Sequence, residues 1–241
     1  MAGLQDGRHD PGWEWPVIEG PDDSLVADGG EGLHTTESRP GRYRGRVTSP
    51  ATPPGPYPGI IEVVVEIPRG SRNKYEFDPA AGIFRLDRVL SSAVFYNFDY
   101  GFVPDTLAGD GDPTDTLLLI DEPTFTGCHV WARPVGALEM SDDQGVDYKI
   151  LCVAVGDPHQ AHVKRLNQIR PHRLVEIENF FRTYKLLEDK TVDVVGWHDA
   201  DRARDILRED REVWRIATEA ATATAAGGGP AAGGPEAPAA S

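Results

Sequence analysis

Positive charge is scarce in this chain. Its 241 residues carry 24 Lys and Arg against 39 Asp and Glu, a formal net charge of -15. A nucleic-acid partner wants a basic patch, so that class is disfavoured. Cysteine is nearly absent, with only Cys128 and Cys152 and no CxxC pair. A disulfide framework is therefore not expected, and a reducing cytoplasm is the simpler setting. No apolar run reaches the length of a membrane span. The N-terminus has no basic segment followed by an apolar one, so no secretory signal is expected. Three nucleotide, hydrolase and zinc patterns are also missing. There is no GxxxxGK[ST] loop and no GxSxG, and His159 and His162 lack the acidic or Cys partners of a zinc site. Those two histidines read as surface residues at a helix start.

Acidic residues are present in clusters. Asp110-Gly111-Asp112-Pro113-Thr114-Asp115 puts three carboxylates in six residues. They repel one another unless water or a cation screens them, and hard divalent ions take oxygen ligands. Asp142, Asp143 and Asp147 form a second group, followed by Lys149. Two acidic groups beside cations suit a site where metals meet a phosphate-like anion. A calcium loop fits poorly, because Asp115 falls where that loop needs Gly and Asp121 where it needs Glu. An acidic surface turn is the plain alternative for the first cluster taken alone.

Organisation follows composition. Residues 1–58 are rich in Gly, Pro and acids without apolar period, and read as a disordered extension. Arg39, Arg42, Arg44 and Arg46 make a short basic patch there, and Trp13, Trp15 and Val17 a small aromatic motif. From about Ala217 the chain is Ala, Gly, Thr and Pro, so 218–241 reads as a disordered tail. The folded domain is expected over 59–217.

Within it, Ile61 to Ile67 alternates apolar residues with Glu62 and Glu66. Lys74 to Asp78 alternates again, and the two runs predict a hairpin with one charged face. Further strands are predicted over Ile83 to Leu90, Thr116 to Ile120, Val130 to Leu138 and Lys149 to Val155. The aromatic run Val94 to Phe102 reads as a turn packing one end, with Tyr96 and Tyr100 able to aim hydroxyls into a polar site. Helices are predicted from Arg173 to Glu188 and from Ala200 to about Ile216. Strands first and helices last give an α+β class, and the short strands with Gly and Pro turns suggest a small antiparallel barrel.

Lys74, Arg88, Lys149 and Lys185 are the cations beside the acids; each alone reads as solvated or salt-bridged. Together with the acids they form an ordered string: Glu66-Ile67-Pro68, Lys74-Tyr75-Glu76, Asp87-Arg88, Tyr96 to Phe102, the Asp110–Asp115 segment, Arg133 to Gly136, Asp142 to Lys149, and Phe180 to Lys185. This string resembles the family I soluble inorganic pyrophosphatases, over about Ile60 to Trp197.

The resemblance implies an OB-like barrel with flanking helices and Mg²⁺-dependent hydrolysis of pyrophosphate to two orthophosphates. It implies several Mg²⁺ per site, with Mn²⁺ or Zn²⁺ as substitutes. Asp110, Asp115 and Asp147 would be carboxylates of the two main metal sites, and Glu66 and Asp142 ligands to further metals or their waters. Asp112 would be the base beside the attacking water, with Asp147 also in the catalytic set. Lys74, Arg88, Tyr100, Lys149, Tyr184 and Lys185 would clamp phosphate. Glu76, Tyr96 and Asp143 would stand behind them. Two positions depart from the pattern: Phe102 stands where many relatives have Tyr, and Asp143 where many have Glu. A cytoplasmic homo-oligomer, a hexamer in the bacterial type, without nucleic-acid or membrane partners, completes the implication. A cation- or phosphate-binding module without turnover and an oligonucleotide-binding barrel are the alternatives. Asp112 disfavours the first and the acidic charge the second.

Overall fold

The computed structural model describes residues 53–142, 145–188 and 192–227, without the side chains of Asp142 and 224–227. The Trp13–Val17 motif, the Arg39–Arg46 patch, Asp143 and the chain after Gly227 lie outside the described residues. Eight strands and two helices are described there: β1 (Ile61–Ile67), β2 (Asn73–Asp78), β3 (Ile83–Val89), β4 (Asp99–Phe102), β5 (Asp115–Leu119), β6 (His129–Asp142), β7 (Gly145–Ala154), α1 (Pro171–Thr183), β8 (Asp193–Asp199) and α2 (Ala200–Gly227). The class is α+β, and no described helix is long and apolar enough to cross a membrane.

The main sheet runs β1-β4-β5-β7-β6-β8, and β1 pairs with β6 as well as β4. Five strands thus close into a ring of pairings, with β8 outside it. The expected all-antiparallel arrangement needs one correction: β5 and β7 are parallel. β6 leaves β5 to pair with β1, and β7 then returns antiparallel along β6, so it meets β5 in the same direction.

Alternation along the strands feeds two cores. Ile67, Leu117, Leu119, Leu151 and Val153 join Phe98, Phe180 and Phe181, so α1 packs on that side. Val63, Val65, Leu118, Ile150 and Cys152 join Ala203, Ile206 and Leu207, so α2 packs on the other. Gly101 lies in β4 rather than in the expected turn. A Cβ there would sit 2.0 Å from the Val64 carbonyl oxygen, so the close approach of β4 to β1 requires glycine.

The expected β1–β2 hairpin does not form. β2 pairs with β3, in register Lys74↔Arg88 and Glu76↔Arg85. After Pro68 the chain turns through Gly70, whose φ is +90°, and its N–H donates to the Tyr96 carbonyl. That turn carries β2 away from β1's edge, which β4 and β6 already occupy. Asp78 Oδ1 accepts from the N–H groups of Ala80 and Ala81 and closes the β2–β3 turn.

Helix ends also differ from expectation. α1 stops at Thr183, and Leu186–Glu188 forms a separate 3₁₀ turn. α2 is capped by Asp199, whose Oδ1 accepts from Asp201 and Arg202 N–H. It runs past Ile216 to Gly227, because the Ala-rich stretch is strongly helix-forming until glycine ends it. Val213 and Ile216 on this helix are exposed. Before β1, Tyr57 already packs on α2: its hydroxyl donates to the Leu207 carbonyl at 2.5 Å, and the Arg211 guanidinium lies 4.2 Å from its ring centre.

Candidate active site

Four strands of the ring deliver one polar cluster. β5 opens with Asp115, β7 brings Asp147 and Lys149, β4 brings Tyr100, and β1 brings Glu66. Asp147 and Lys149 are two apart on a strand, so they share a face. The Lys149 ammonium bridges Asp115 Oδ2 and Asp147 Oδ2, the latter at 2.6 Å. Lys149 is 6% exposed. Burial works to lower its pKa, but Asp115 and Asp147 more than reverse this and hold it raised. Burial first, and then the Asp115 carboxylate, hold the Tyr100 phenol well above its ordinary pKa.

Glu66 is a correction to its reading as an exposed strand residue. It is 9% exposed, and its Oε1 accepts from the Phe77 N–H at 2.8 Å. β2 crosses over it and excludes water. Burial first, then Asp115 and Glu76, push its pKa from 4.5 to about 7, against the Phe77 hydrogen bond and Lys74.

The loop before β5 carries Asp110 and Asp112, both exposed. Asp112 N–H donates to Asp110 Oδ1 at 3.1 Å, which folds the acidic turn on itself. Partial burial and then Asp110 and Asp115 raise the Asp112 pKa. Burial likewise raises Asp147, where Lys149 opposes and Asp115 and Asp110 add. Asp110 and Asp115 of the first acidic cluster thus act on Asp147 of the second.

Among the described residues, no three His, Cys, Asp or Glu side chains are assembled into a ready metal cage. Lys149 ties Asp115 to Asp147. Asp142 ends β6, and its side chain, like all of Asp143, lies outside the described residues.

The cationic arm comes from the separate hairpin. Lys74 pairs with Glu76 and, at 3.4 Å, with Asp87. Arg88 donates to Asp87 at 2.5 Å and to Glu188 at 3.1 Å. Asp87 is partly desolvated, yet Lys74 and Arg88 hold its pKa below the ordinary value. Tyr184 follows α1 and is buried against Phe180 and Phe181, with the Lys185 ammonium 5.3 Å from its ring centre. Burial raises the Tyr184 phenol, while Lys149 and Arg88 lower it, which places Tyr184 between the two halves. Tyr96 is 2% exposed in the aromatic core, 5.7 Å from Tyr100 centre to centre. Phe102 is buried and stacks at 5.7 Å on Phe77 instead of offering a hydroxyl.

Asp87, quoted from the sequence only as the neighbour of Arg88, holds both Lys74 and Arg88. Glu188, which also holds Arg88, was not singled out from sequence: it lies 100 residues away and carries no local signal. Two cavities of about 420 and 960 Å³ open elsewhere, and neither is lined by a candidate residue. His159 and His162 line the first, at a short 3₁₀ turn.

Comparison with known proteins gives one family. The family profile described as Inorganic pyrophosphatase matches residues 63–215. The inorganic pyrophosphatase of a Nostoc strain is 52% identical over 163 residues, covering 68% of this chain and 96% of its own length. That of Methanosarcina acetivorans is 54% identical over 150 residues, covering 62% of this chain and 89% of its own length. The crystal structure of the inorganic pyrophosphatase from Thermus thermophilus is similar with a TM-score of 0.65 at 41% identity, covering 68% of this chain and 97% of that one.

Proposed function

The chain belongs to the inorganic pyrophosphatase family, and on that premise we propose that it hydrolyses pyrophosphate to two orthophosphates with Mg²⁺ and an activated water. One observation carries the reading: Glu66, Tyr100, Asp115, Asp147 and Lys149 converge from four strands onto one anionic cluster beside a cationic arm.

The residues fit a hard divalent ion. The donors are carboxylate oxygens, and Asp112, Asp147 and Glu66 have raised pKa values with like charges among the causes. Among the described residues, Lys149 is the cation paired with both Asp115 and Asp147. Asp110, Asp115 and Asp147 would hold the main metals, with Glu66 and Asp142 supporting further ones. Bound metal supplies charge neutralisation and a more acidic water.

The chain's own groups then do the rest. Asp112 takes the proton of the attacking water; its raised pKa moves it toward the range a general base needs. Lys149 is free to turn to phosphate once other positive charge covers Asp115 and Asp147. Tyr100 and Tyr184 remain protonated donors at neutral pH because burial holds their phenols up. Lys74, Arg88 and Lys185 neutralise phosphate oxygens. For that step Arg88 exchanges Asp87 and Glu188 for substrate, and its forked guanidinium suits phosphate better than lysine would. Glu76, Tyr96 and Asp143 support these groups.

The ring, with its single parallel pairing, supports an OB-like barrel. We assign 59–217 to the catalytic domain, with Tyr57 and Pro58 as its edge. A cytoplasmic homo-oligomer, a hexamer, is part of the same reading. Exposed Phe95, Phe125, Leu186 and Leu187 offer apolar surface for subunits to cover. The test is phosphate release from pyrophosphate at neutral pH. Release with millimolar Mg²⁺ and none with EDTA is expected. Folded protein that releases none with Mg²⁺ removes the reading.

A further inference from the structure

The acidic loop is fastened from behind by a residue of the C-terminal helix. Thr114 lies between Asp112 and Asp115 and is fully buried. Its N–H donates to Thr106 Oγ1 at 2.9 Å, and its carbonyl accepts from Val103 N–H at 2.9 Å. Thr106, 2% exposed, in turn donates to the Val103 carbonyl at 2.6 Å. These bonds close the base of the loop. Asp210 of α2 adds a hold from outside the β4–β5 ladder. Its Oδ2 accepts from Thr114 Oγ1 at 2.8 Å, and its backbone carbonyl accepts from Leu107 N–H at 3.0 Å. One residue of α2 thus grips both limbs of the loop.

From this geometry we infer that Asp210 is a positioning residue for metal binding: through Thr114 it sets the direction in which Asp112 and Asp115 leave the loop. The inference rests on the proposed Mg²⁺-dependent reading. A carboxylate cluster binds a small, strictly octahedral ion well only if its oxygens are held in place beforehand. Asp115 follows Thr114 directly and opens β5. Rotation at Thr114 therefore moves Asp115 more than any other candidate ligand. Asp210 is separated from Thr114 by 96 residues, so nothing local in the sequence marks the pair.

Geometry and field are separable. Asp210→Asn removes the charge and keeps an acceptor for Thr114. Thr114→Val removes the bond and keeps the charge. Asp205, on the exposed side of α2 and paired with Arg208, provides a carboxylate control. Mg²⁺ binding to each full-length variant is measured by calorimetry without substrate, with thermal unfolding in EDTA alongside. Thr114→Val and Asp210→Ala are each expected to weaken Mg²⁺ binding about 3- to 10-fold, the scale of one lost hydrogen bond. Their double variant should be no weaker than either, because they break one interaction. Asp210→Asn and Asp205→Ala should bind as the parent does. Weakening by Asp210→Asn with none by Thr114→Val would assign the effect to charge and overturn the inference. Lower unfolding temperatures with unchanged Mg²⁺ affinity would also overturn it, reducing the contact to packing. A parent chain that binds no Mg²⁺ would instead remove the reading on which the inference stands.

Discussion

The ring and the hairpin contribute opposite kinds of side chain to one site, held in opposite ways. On the ring, Glu66, Asp147 and Lys149 are shielded from water, and burial is the first cause of each pKa displacement or opposes it most. On the hairpin, Lys74, Glu76, Asp87 and Arg88 sit half-exposed in a chain of ion pairs. Buried like charges cannot relax, so the ring stores an anionic demand that only a cation meets. Exposed ion pairs exchange partners at little cost, so the hairpin holds cations that substrate can recruit. Fixed anions and movable cations are the division of labour that a metal-plus-phosphate site needs. Five substitutions test that division, and their expected effects run from large to small.

Asp112→Asn removes the proton acceptor and leaves the ring ligands in place. Turnover is expected to fall about 10²–10⁴-fold with an unshifted Mg²⁺ dependence. Asp115→Asn should instead raise the Mg²⁺ needed. Matching kinetic profiles for the two would erase the distinction between base and ligand.

Lys149→Ala strips the ring of the cation between Asp115 and Asp147. In EDTA the variant should lose roughly 3–5 kcal/mol in urea unfolding, as for a buried pair deprived of one partner. Saturating Mg²⁺ should recover part of it. Equal stability with and without lysine would mean the ring carboxylates are solvated after all.

Glu66 gives the comparison a pH axis. Its folded pKa of about 7 exceeds the ordinary 4.5. In the metal-free protein the folded state therefore holds the proton more tightly than the unfolded chain. The resulting stability is complete below about pH 4.5 and is lost as pH rises through about 7. Glu66→Gln should remove that slope and raise metal-free stability above pH 7 by up to roughly 3 kcal/mol. Unfolding midpoints from pH 4.5 to 8 check this. An unchanged slope would place Glu66 in water.

Glu188→Ala is the mildest. It frees Arg88 from one of its two carboxylates. Stability should change by less than about 1 kcal/mol, since the pair is half-exposed. KM for pyrophosphate, not kcat, should move. A collapse in stability would show the hairpin to be as rigid as the ring.

The same contrast explains what the sequence could tell. Ring strands such as Ile61–Ile67, with its apolar alternation, and Asp115–Leu119, with its short apolar run, are readable because those patterns are local, although both strands are buried almost throughout. β4 was not, because Gly101 looks like a turn until β1 lies against it. β8 sits between helical segments and, among the described residues, pairs with β6 alone. The hairpin partner was misjudged because alternation specifies a strand without saying which neighbour it takes. At the site, the resemblance named Asp115, Asp147 and Lys149, and the structure brings them into contact. It could not name Asp210 or Glu188, whose roles exist only across the fold.

Tyr57 has a practical meaning for where the protein can be cut. Its ring lies under Arg211 and its hydroxyl reaches Leu207, one turn before Asp210 on the same helix. A protease or a cloning boundary that leaves Gly59 as the first residue would remove this clasp while sparing every candidate site residue. A cut that stops before Pro56 keeps this clasp. Beyond it, α2 would lose an anchor, and the acidic loop that α2 holds would register the cut.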